Sequence, residues 1–433
     1  MKQISSNELD IRQTELLNAL MGIKIDCLES YDLSHLLFNI SREAVLFSPA
    51  KVLKRMLRIF LFDCVTVNYK DVDPGLPLMI SYNYHRDDHT NYWNRFKEII
   101  RDYNEISIDT VVPDKNVKRS LKNARQAYKS YKSIRKQLKA VTDGKARKLF
   151  AAYLAEMNCL REKIDSYEIK NKAAAIFFDG NHIENLVVQN LRNRGVKVAT
   201  MQHGQPVFHG KDVDRVNQTM ILNFSSDYVM VTGEFSKKQF IMGGVPEDKI
   251  FIGGSLRNIK PIQDSGNNDF ALFLDCPTNP NAQRDNRELI DTAVKISSML
   301  GSAFVIKCHP QDDPANYDGL DLEHGTFAPK GIRISDVLKD KAFGILHASG
   351  VYLDILSEGI KAFCYVNETD FALVEDGLDS FKNADELETK LNEWKGYELS
   401  CKNQYMQRVR EYYLSPDNVE DRYLSFIRQL NEG

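Results

Sequence analysis

The sequence contains no apolar run of the roughly 18 residues that a membrane-spanning helix needs. Its first residues, Met1-Lys2-Gln3-Ile4, do not begin an apolar signal-peptide region. The seven cysteines are scattered, and no two have the Cys-x-x-Cys spacing. This argues against a disulfide framework and against a zinc knuckle. We therefore expect a cytoplasmic protein.

Three motifs of common enzyme classes are also missing from the sequence. There is no Gly-x-x-x-x-Gly-Lys loop followed by Ser or Thr, and no Gly-x-Gly-x-x-Gly turn follows a predicted strand. No His-Glu-x-x-His motif or cluster of His and Cys suggests a catalytic metal. These absences argue against a P-loop nucleoside triphosphatase and a nicotinamide-dependent enzyme. We expect neither a metal site nor a cofactor.

What the sequence does have is the length and composition of a two-domain globular protein. It has 433 residues, of which 43% are hydrophobic and 27% are charged. The net charge of −3 indicates no particular partner. The charge is unevenly distributed, because residues 115–148 contain 13 Lys or Arg and one acid, Asp143. This segment is the one strongly basic part of the chain.

Predicted strands and helices alternate along most of the chain after residue 172, which favours parallel, doubly wound sheets. The alternation stops at a polar stretch with Pro and Gly that is typical of a linker, and then restarts. The predicted fold class is α/β, with two Rossmann-like domains facing a cleft and extra N-terminal helical segments. The predicted units are an N-terminal domain (1–258) with a basic helical insertion (115–165), a linker (259–269), a C-terminal domain (270–400), and a helix (401–433) that crosses back to the first domain.

The first candidate motif is Gln202-His203-Gly204, which follows the predicted strand Lys197–Met201. In open α/β sheets, ligands bind beyond the carboxyl ends of the strands. A histidine there could act as a general base, since its ordinary pKa of about 6.5 suits removal of a hydroxyl proton at neutral pH. The plainer interpretation is a polar loop residue bonded to the backbone.

The second candidate motif is Lys307-Cys308-His309-Pro310, at the end of another predicted strand. Two such histidines, one in each half, indicate a shared cleft and an enzyme. His309 could donate a hydrogen bond to a phosphate oxygen while negative charge builds up on a leaving nucleotide. Taken alone, the dipeptide His-Pro is common.

The third motif starts a predicted helix and consists of Ser349, Gly350, Asp354 and Glu358. The N-terminus of a helix attracts anions, so Ser349 and Gly350 could hold a pyrophosphate. Asp354 or Glu358 could reach a ribose or sugar hydroxyl. The alternative is an ordinary helix that Ser349 caps.

The fourth motif is the turn Gly254-Ser255-Leu256-Arg257-Asn258, at the junction of the two predicted halves. Its Arg257 could pair with a phosphate. The alternative is a salt bridge between the domains.

Taken in order, these four motifs resemble those of the GT-B superfamily of nucleotide-dependent transferases. The resemblance implies a GT-B-like fold, with residues 1–258 as the acceptor-side domain and residues 270–400 as the donor-binding domain. The likeness is to the CDP-glycerol glycerophosphotransferases of teichoic acid synthesis and to related capsule enzymes that use CMP-activated sugars. It covers roughly residues 173–366. The matching residues are Gln202-His203-Gly204, Gly254-Ser255-Leu256-Arg257-Asn258, Lys307-Cys308-His309-Pro310, and Ala348-Ser349-Gly350 with Asp354.

The resemblance implies a donor nucleotide on the second half, with its phosphates near Arg257, His309 and Ser349. An acceptor would enter from the first half, where His203 would remove its hydroxyl proton. The family usually has a tryptophan before the His-Gly pair and a second serine in its serine motif. This chain has Gln202 and a single Ser349 at those points. A sugar and glycerol phosphate are therefore equally open as the transferred group.

The implied function is a nucleotide-activated glycosyl or glycerol-phosphate transferase of surface polysaccharide synthesis, capsular or teichoic-acid-like. Its donor would be CDP-, CMP- or UDP-linked, and its acceptor lipid-linked or a polysaccharide. One alternative is an enzyme like the UDP-N-acetylglucosamine 2-epimerases, which the pair Ser349-Gly350 and the following Glu358 would also fit. Another is a catalytically inactive GT-B subunit that only binds.

The basic helical segment near residues 115–140 has two interpretations. It could be a solvated helix over an acidic neighbour, or it could dock on an anionic membrane at the inner face of the cell membrane. The amphipathic residues 51–62 could add to such docking. Aromatic residues among the bases also allow nucleic-acid binding, but two Rossmann-like halves do not call for it, and no nucleic-acid partner is expected.

Overall fold

The computed structural model describes residues 6–63, 65–82, 87–110, 117–118, 120–206, 221–263, 266–276, 282–347, 349–366 and 379–432. Ala348 and residues 115, 116 and 119 of the predicted basic insertion lie outside these ranges. Within the described ranges, no helix combines the length and the apolar composition that crossing a membrane requires.

The first half of the chain begins with four helices and then alternates between strands and helices. Its helices are α1 (Ser6–Leu20), α2 (Leu33–Leu36), α3 (Phe38–Leu46), α4 (Pro49–Leu61), α5 (Asp87–Ile100), α6 (Leu121–Gln137), α7 (Gly144–Asp165), α8 (His182–Asn193) and α9 (Glu234–Met242). Its strands are β1 (Phe62–Asp63), β2 (Val65–Lys70), β3 (Leu78–Tyr82), β4 (Asn104–Thr110), β5 (Val117–Lys118), β6 (Ala173–Ile176), β7 (Lys197–Met201), β8 (Tyr228–Val231) and β9 (Ile250–Ile252). Short 3-10 turns lie at Asp26–Leu28 and Glu247–Lys249.

Seven strands of the first half form one sheet in the order β2-β4-β3-β6-β7-β8-β9, and the short strands β1 and β5 pair with each other. Strand β2 is antiparallel to β4, and the other neighbouring strands are parallel. All four residues of β6 are buried, because helices cover both faces of the sheet. Ala174 and Ile176 pack with α7 and α8 on one face, and Ala173 and Ala175 pack with α5 on the other.

The second half repeats this plan with a smaller sheet. Its strands are β10 (Phe270–Phe273), β11 (Phe304–Lys307), β12 (Gly325–Phe327), β13 (Phe343–Leu346), β14 (Lys361–Tyr365) and β15 (Ser380–Phe381). Its helices are α10 (Ala282–Leu300), α11 (Ile334–Val337), α12 (Val351–Ser357), α13 (Ala384–Gly396) and α14 (Leu399–Leu414), with a 3-10 turn at Pro314–Tyr317. The six strands are all parallel, in the order β12-β11-β10-β13-β14-β15.

The C-terminal part of the chain contains two helices where the sequence predicts one over residues 401–433. Helix α14 packs against α9 and α12, and the last helix, α15 (Val419–Glu432), packs against α5 and β6 in the first half. Between them the chain turns at Ser415 and Asn418, which both have positive φ angles, 40° and 52°. Ser415 ends α14 in the left-handed conformation, and Asn418 directly precedes α15, so the chain turns back to the first sheet between them.

Candidate active site

The first-half histidine lies directly after β7, at the carboxyl edge of the first sheet. The His203 ring centroid is 4.8 Å from that of Phe178, which comes shortly after β6. It is also 4.8 Å from the ring centroid of His89 in α5, which meets it edge-on at 87°. Rings from two neighbouring elements therefore orient His203. Sequence reasoning missed His89 because it lies in a charged segment rather than after a strand.

Gln202 fixes the turn that presents His203. Its side-chain Oε1 accepts a hydrogen bond from the Thr232 N–H at 2.9 Å, and its Nε2 donates to the Gly204 carbonyl oxygen at 2.9 Å. Gly204 has a φ angle of 72°, a conformation that glycine adopts without strain. Gln202 is largely buried, so these contacts give it a positioning role. Contact of Gln202 or Gly204 with an acceptor stays a prediction.

The second-half histidine follows β11, at the carboxyl edge of the second sheet. His309 Nδ1 accepts the N–H of Gln311 at 3.2 Å. In the neutral ring this places the proton on Nε2, which can then donate to an oxygen. Lys307 ends the strand, and partial burial lowers the pKa of its ammonium group. The Lys307 ammonium group and the His309 ring N–H therefore both lie at the carboxyl end of β11.

The start of α12 lies against the loop that follows His203. A Cβ atom built on Gly350 would lie 3.9 Å from the backbone nitrogen of Gln205, in ordinary van der Waals contact. Ser349 Oγ accepts the Val351 N–H at 3.3 Å, but Gly350 rather than Ser349 occupies the N-cap position of the helix. The third motif and the first motif are therefore neighbours across the cleft.

Three charged candidates near the junction, Arg257, Asp354 and Glu358, take part in two ion pairs. Arg257 Nε donates to Asp354 Oδ1 at 2.6 Å, and the Arg257 guanidinium lies 5.8 Å from the Tyr92 ring centroid. The second pair joins Lys260 to Glu358. The first pair connects the end of the first half to α12, and the second connects the linker to the residue that follows α12. The salt-bridge interpretation of Arg257 thus describes this structure, and its contact with a phosphate stays a prediction.

Two buried carboxyl groups near the first histidine were missed by sequence reasoning. Asp179 follows β6 closely, and its Oδ2 accepts the N–H groups of Ser225 and Ser226 at 2.8 and 3.0 Å. Burial raises the pKa of Asp179. Glu184, in the first turn of α8, is 1% exposed, and burial raises its pKa to about 7. An acid directly after a buried strand was the available signal for Asp179.

Glu184 should make the protein less stable as the pH rises from about 6 to 8. Its folded-state pKa is about 7, above the ordinary value of 4.5, so the folded state holds the proton more tightly and stability falls as pH rises through 7. The expected loss is about 1 kcal/mol over this range. Urea unfolding of Glu184→Gln should show this pH dependence removed. Glu168→Gln, at a side chain that is 81% exposed, should retain it; equal slopes in both variants would contradict the assignment.

The second sheet presents a further pair that was not assigned from sequence. His347 follows β13 and Asp275 follows β10, which is the neighbouring strand. Both are largely buried, and His347 Nδ1 lies 3.8 Å from Asp275 Oδ2. His347 comes directly after its strand, and Asp275 comes one residue later. A position just after a strand is the same signal that identified His203. Among the described residues, no three His, Cys, Asp or Glu side chains are grouped so as to hold a metal ion.

No protein-family model matches the chain, and no curated protein matches it in sequence. Solved structures do match it in fold. MnaA of S. aureus, in its co-structure with UDP, matches with a TM-score of 0.51 and 8% identity, over 83% of this chain and 98% of that chain. A Listeria monocytogenes protein described as a UDP-N-acetylglucosamine 2-epimerase matches with a TM-score of 0.51 and 11% identity, over 82% and 97% of the two chains.

These matches, together with the two parallel sheets, show the fold. The chain has the GT-B fold, and the fold class predicted from the motifs is confirmed. In this fold the carboxyl edges of both sheets carry the four motifs, and Gly350 of the third motif lies against Gln205, the residue that follows the first motif. The cleft between the sheets is therefore the candidate active site.

Proposed function

We propose that the protein is a nucleotide-activated glycosyl or glycerol-phosphate transferase of surface polysaccharide synthesis, capsular or teichoic-acid-like. The observation that carries the proposal is the contact between the loop after His203 and the start of α12 at Gly350. It brings a potential base from one sheet next to a potential phosphate site on the other. A CDP-, CMP- or UDP-linked donor would bind on the second half, and a lipid-linked or polysaccharide acceptor would enter from the first.

The reaction would be a displacement in the cleft. The acceptor hydroxyl oxygen bonds to the anomeric carbon or the phosphorus of the donor while its proton passes to His203. The bond from that centre to the phosphate oxygen of the nucleotide breaks, and the nucleotide leaves with the electron pair. His309 Nε2–H would donate to a phosphate oxygen, and Lys307 would offset the added charge.

The ion pairs at the junction would orient the remaining donor contacts. A guanidinium has five N–H donors. The bond from Arg257 Nε to Asp354 uses one of them and orients the group, so other N–H donors can still bind a ligand. Arg257 would then pair with a donor phosphate. Asp354 and Glu358 would accept from ribose or sugar hydroxyls, each steadied by its cationic partner.

A nucleotide-release assay tests this proposal. The protein is incubated with CMP-, CDP- and UDP-linked donors, with and without a lipid-linked or polysaccharide acceptor. A transferase releases one nucleotide for each unit transferred, and only when the acceptor is present. Release that does not depend on any acceptor, or no transferred product with any pair of substrates, would contradict it.

Nucleotide binding can be measured separately by thermal shift. A nucleotide at about 100 times its dissociation constant should add roughly 2.7 kcal/mol to the free energy of unfolding. We expect the shift to be smaller in His309→Ala and unchanged in His324→Asn, whose side chain is 54% exposed. Absence of a shift with every nucleotide would favour an inactive binding subunit.

A second candidate is an enzyme like the UDP-N-acetylglucosamine 2-epimerases. The Listeria monocytogenes protein with this description favours it, since it matches 82% of this chain. Ser349, Gly350 and Glu358 also suit such an enzyme. The same assay distinguishes the two candidates, because an epimerase needs no acceptor and interconverts two nucleotide sugars without stoichiometric release of the nucleotide.

A further inference from the structure

Two basic helices that are distant in sequence lie side by side on the first half. Helices α4 and α6 both pack on α7 and touch each other. The Phe60 ring in α4 contacts the rings of Tyr128 and Tyr131 in α6, with centroid distances of 5.9 and 5.3 Å. Strand β1, after α4, pairs antiparallel with β5, before α6. The end of α4 and the start of α6 are therefore joined through these strands, and the two helices also contact each other through the three rings.

This surface exposes large apolar side chains. In α4, Leu53, Leu57 and Leu61 recur every fourth residue and form one stripe, with 56%, 49% and 52% of each residue exposed. In α6, Leu121 is 79% exposed and Tyr128 is 46% exposed. The leucine stripe lies beside Phe60, on the side of α4 that faces α6. We call these five residues and the two helices the docking surface.

The docking surface carries positive charge without acids. Neither α4 nor α6 contains Asp or Glu. One of their bases, Arg55, faces inward, where it contacts Tyr153 and Glu43. The other bases are Lys51, Lys54, Arg58, Lys122, Arg125, Lys129, Lys132, Arg135 and Lys136. Nine cations thus accompany the exposed apolar residues.

Carboxylates that contact α6 lie on its other side. Gln126 is bonded to Glu162, and Gln137 is bonded to Asp26. At 3.6 residues per turn, these two glutamines are about half a turn from Tyr128. The carboxylates of Glu162 and Asp26 therefore do not neutralise the side of α6 that bears Tyr128.

We propose that the docking surface binds an anionic lipid bilayer, with both helices in the plane of the interface. Exposed leucine and tyrosine side chains would enter the region below the headgroups, and the lysines and arginines around them would pair with lipid phosphates. A nucleic acid would also attract the bases, but it offers no apolar phase for a stripe of leucines. Charge and apolar exposure on the same side therefore favour the membrane.

The docking surface reaches the same sheet edge as the candidate active site. Val65, the first residue of β2, pairs with Thr110, the last residue of β4. The end of α4 and the start of α6 therefore lie at the carboxyl edge, where β7 leads to His203. Strands β2 and β7 are four strand spacings apart, which is about 20 Å. An acceptor anchored in the bilayer could span this distance. The link between membrane docking and an acceptor rests on the proposed function, whereas the docking itself does not.

Flotation with lipid vesicles tests the docking directly and needs neither donor nor acceptor. We expect the full chain to float with vesicles of phosphatidylglycerol and phosphatidylcholine at low ionic strength, and not with phosphatidylcholine alone. High salt should release it. Failure to float with the anionic vesicles would overturn the proposal, whatever the result of the transfer assay.

Two sets of substitutions separate the apolar and charged contributions. Leu53→Ser, Leu57→Ser and Leu61→Ser together should weaken vesicle binding by at least about tenfold, because each removes a side chain that enters the bilayer. Lys122→Gln, Arg125→Gln, Lys129→Gln and Lys132→Gln together should weaken it to a similar extent. Each variant should unfold at the wild-type temperature, because all these side chains are exposed.

Matched controls come from exposed residues elsewhere on the protein. Met242→Ser with Met299→Ser removes apolar groups that are 63% and 48% exposed, and Lys330→Gln with Lys339→Gln removes charge from the second half. Both should float like the wild type. Loss of binding in the charge variant alone would indicate a site for polyanions and overturn the membrane proposal. A dimer that the leucine substitutions dissociate, in protein that does not float, would also overturn it.

Discussion

Replacing His203 with alanine should lower the rate of transfer by about 100- to 10,000-fold, the usual contribution of a general base. The acceptor hydroxyl would no longer have a group to take its proton. Nucleotide binding should persist, since the proposed phosphate contacts are on the second half. The measurements are steady-state nucleotide release with acceptor present and nucleotide-induced thermal shift for the same preparation.

A second variant separates loss of the base from loss of the ring packing. The His203 ring contacts Phe178 and His89, so alanine also removes apolar contacts. His203→Phe keeps an aromatic ring there and cannot accept a proton. We expect both variants to be equally slow. Full transfer by either one would remove His203 from the mechanism.

Replacing Gly254 with alanine should destabilise the protein by about 2–5 kcal/mol. Gly254 has a φ angle of 92°, which costs a residue with a Cβ atom about 1–2 kcal/mol. The added Cβ would also lie 2.5 Å from the Ser415 carbonyl oxygen, and overpacking of this kind costs about 1–3 kcal/mol. Because the contact is with backbone, a side-chain rotation cannot relieve it. Urea unfolding would measure the loss.

Gly244 offers a matched control for the conformational part of this loss. Its φ angle is 91°, and a Cβ atom there would have no neighbour within 4 Å. Gly244→Ala should therefore cost only the backbone strain, about 1–2 kcal/mol. If the two variants lose the same free energy of unfolding, the close approach of Gly254 to Ser415 does not contribute to the loss, which would contradict the prediction.

The central strands could be predicted from sequence because they are buried on both faces. Strands such as β6, with the sequence of Ala173–Ile176, are continuous apolar runs between polar segments. Strands β2 and β4, which lie at one edge of the first sheet, were not predicted. Strand β2 alternates buried and more exposed residues and carries Asn68 and Lys70, so its apolar signal is weak. Strand β2 also comes directly after the N-terminal segments whose sequence pattern is mostly helical, so no strand was predicted there.

The candidate site could be predicted only to the level of its separate motifs. His203 and His309 were found because each follows a strand, and the fold places both strand ends at sheet edges. The contact between Gly350 and Gln205 depends on how the two halves pack, and no local pattern encodes such a contact. The partner of Arg257 could not be identified for the same reason. A salt bridge between the domains was one of its two interpretations, but the sequence does not show that Asp354 is the acceptor.

The chain passes between the two halves twice, and the two passes touch. The Ser255 N–H donates to the Leu414 carbonyl oxygen at 2.7 Å, where the first pass leaves the first half and α14 ends. Because both connections pass through this one place, a rotation of one half relative to the other would have its axis close to Ser255 and Leu414. Arg257 is two residues from Ser255 and would move little in such a rotation, so we expect its ion pair with Asp354 to persist.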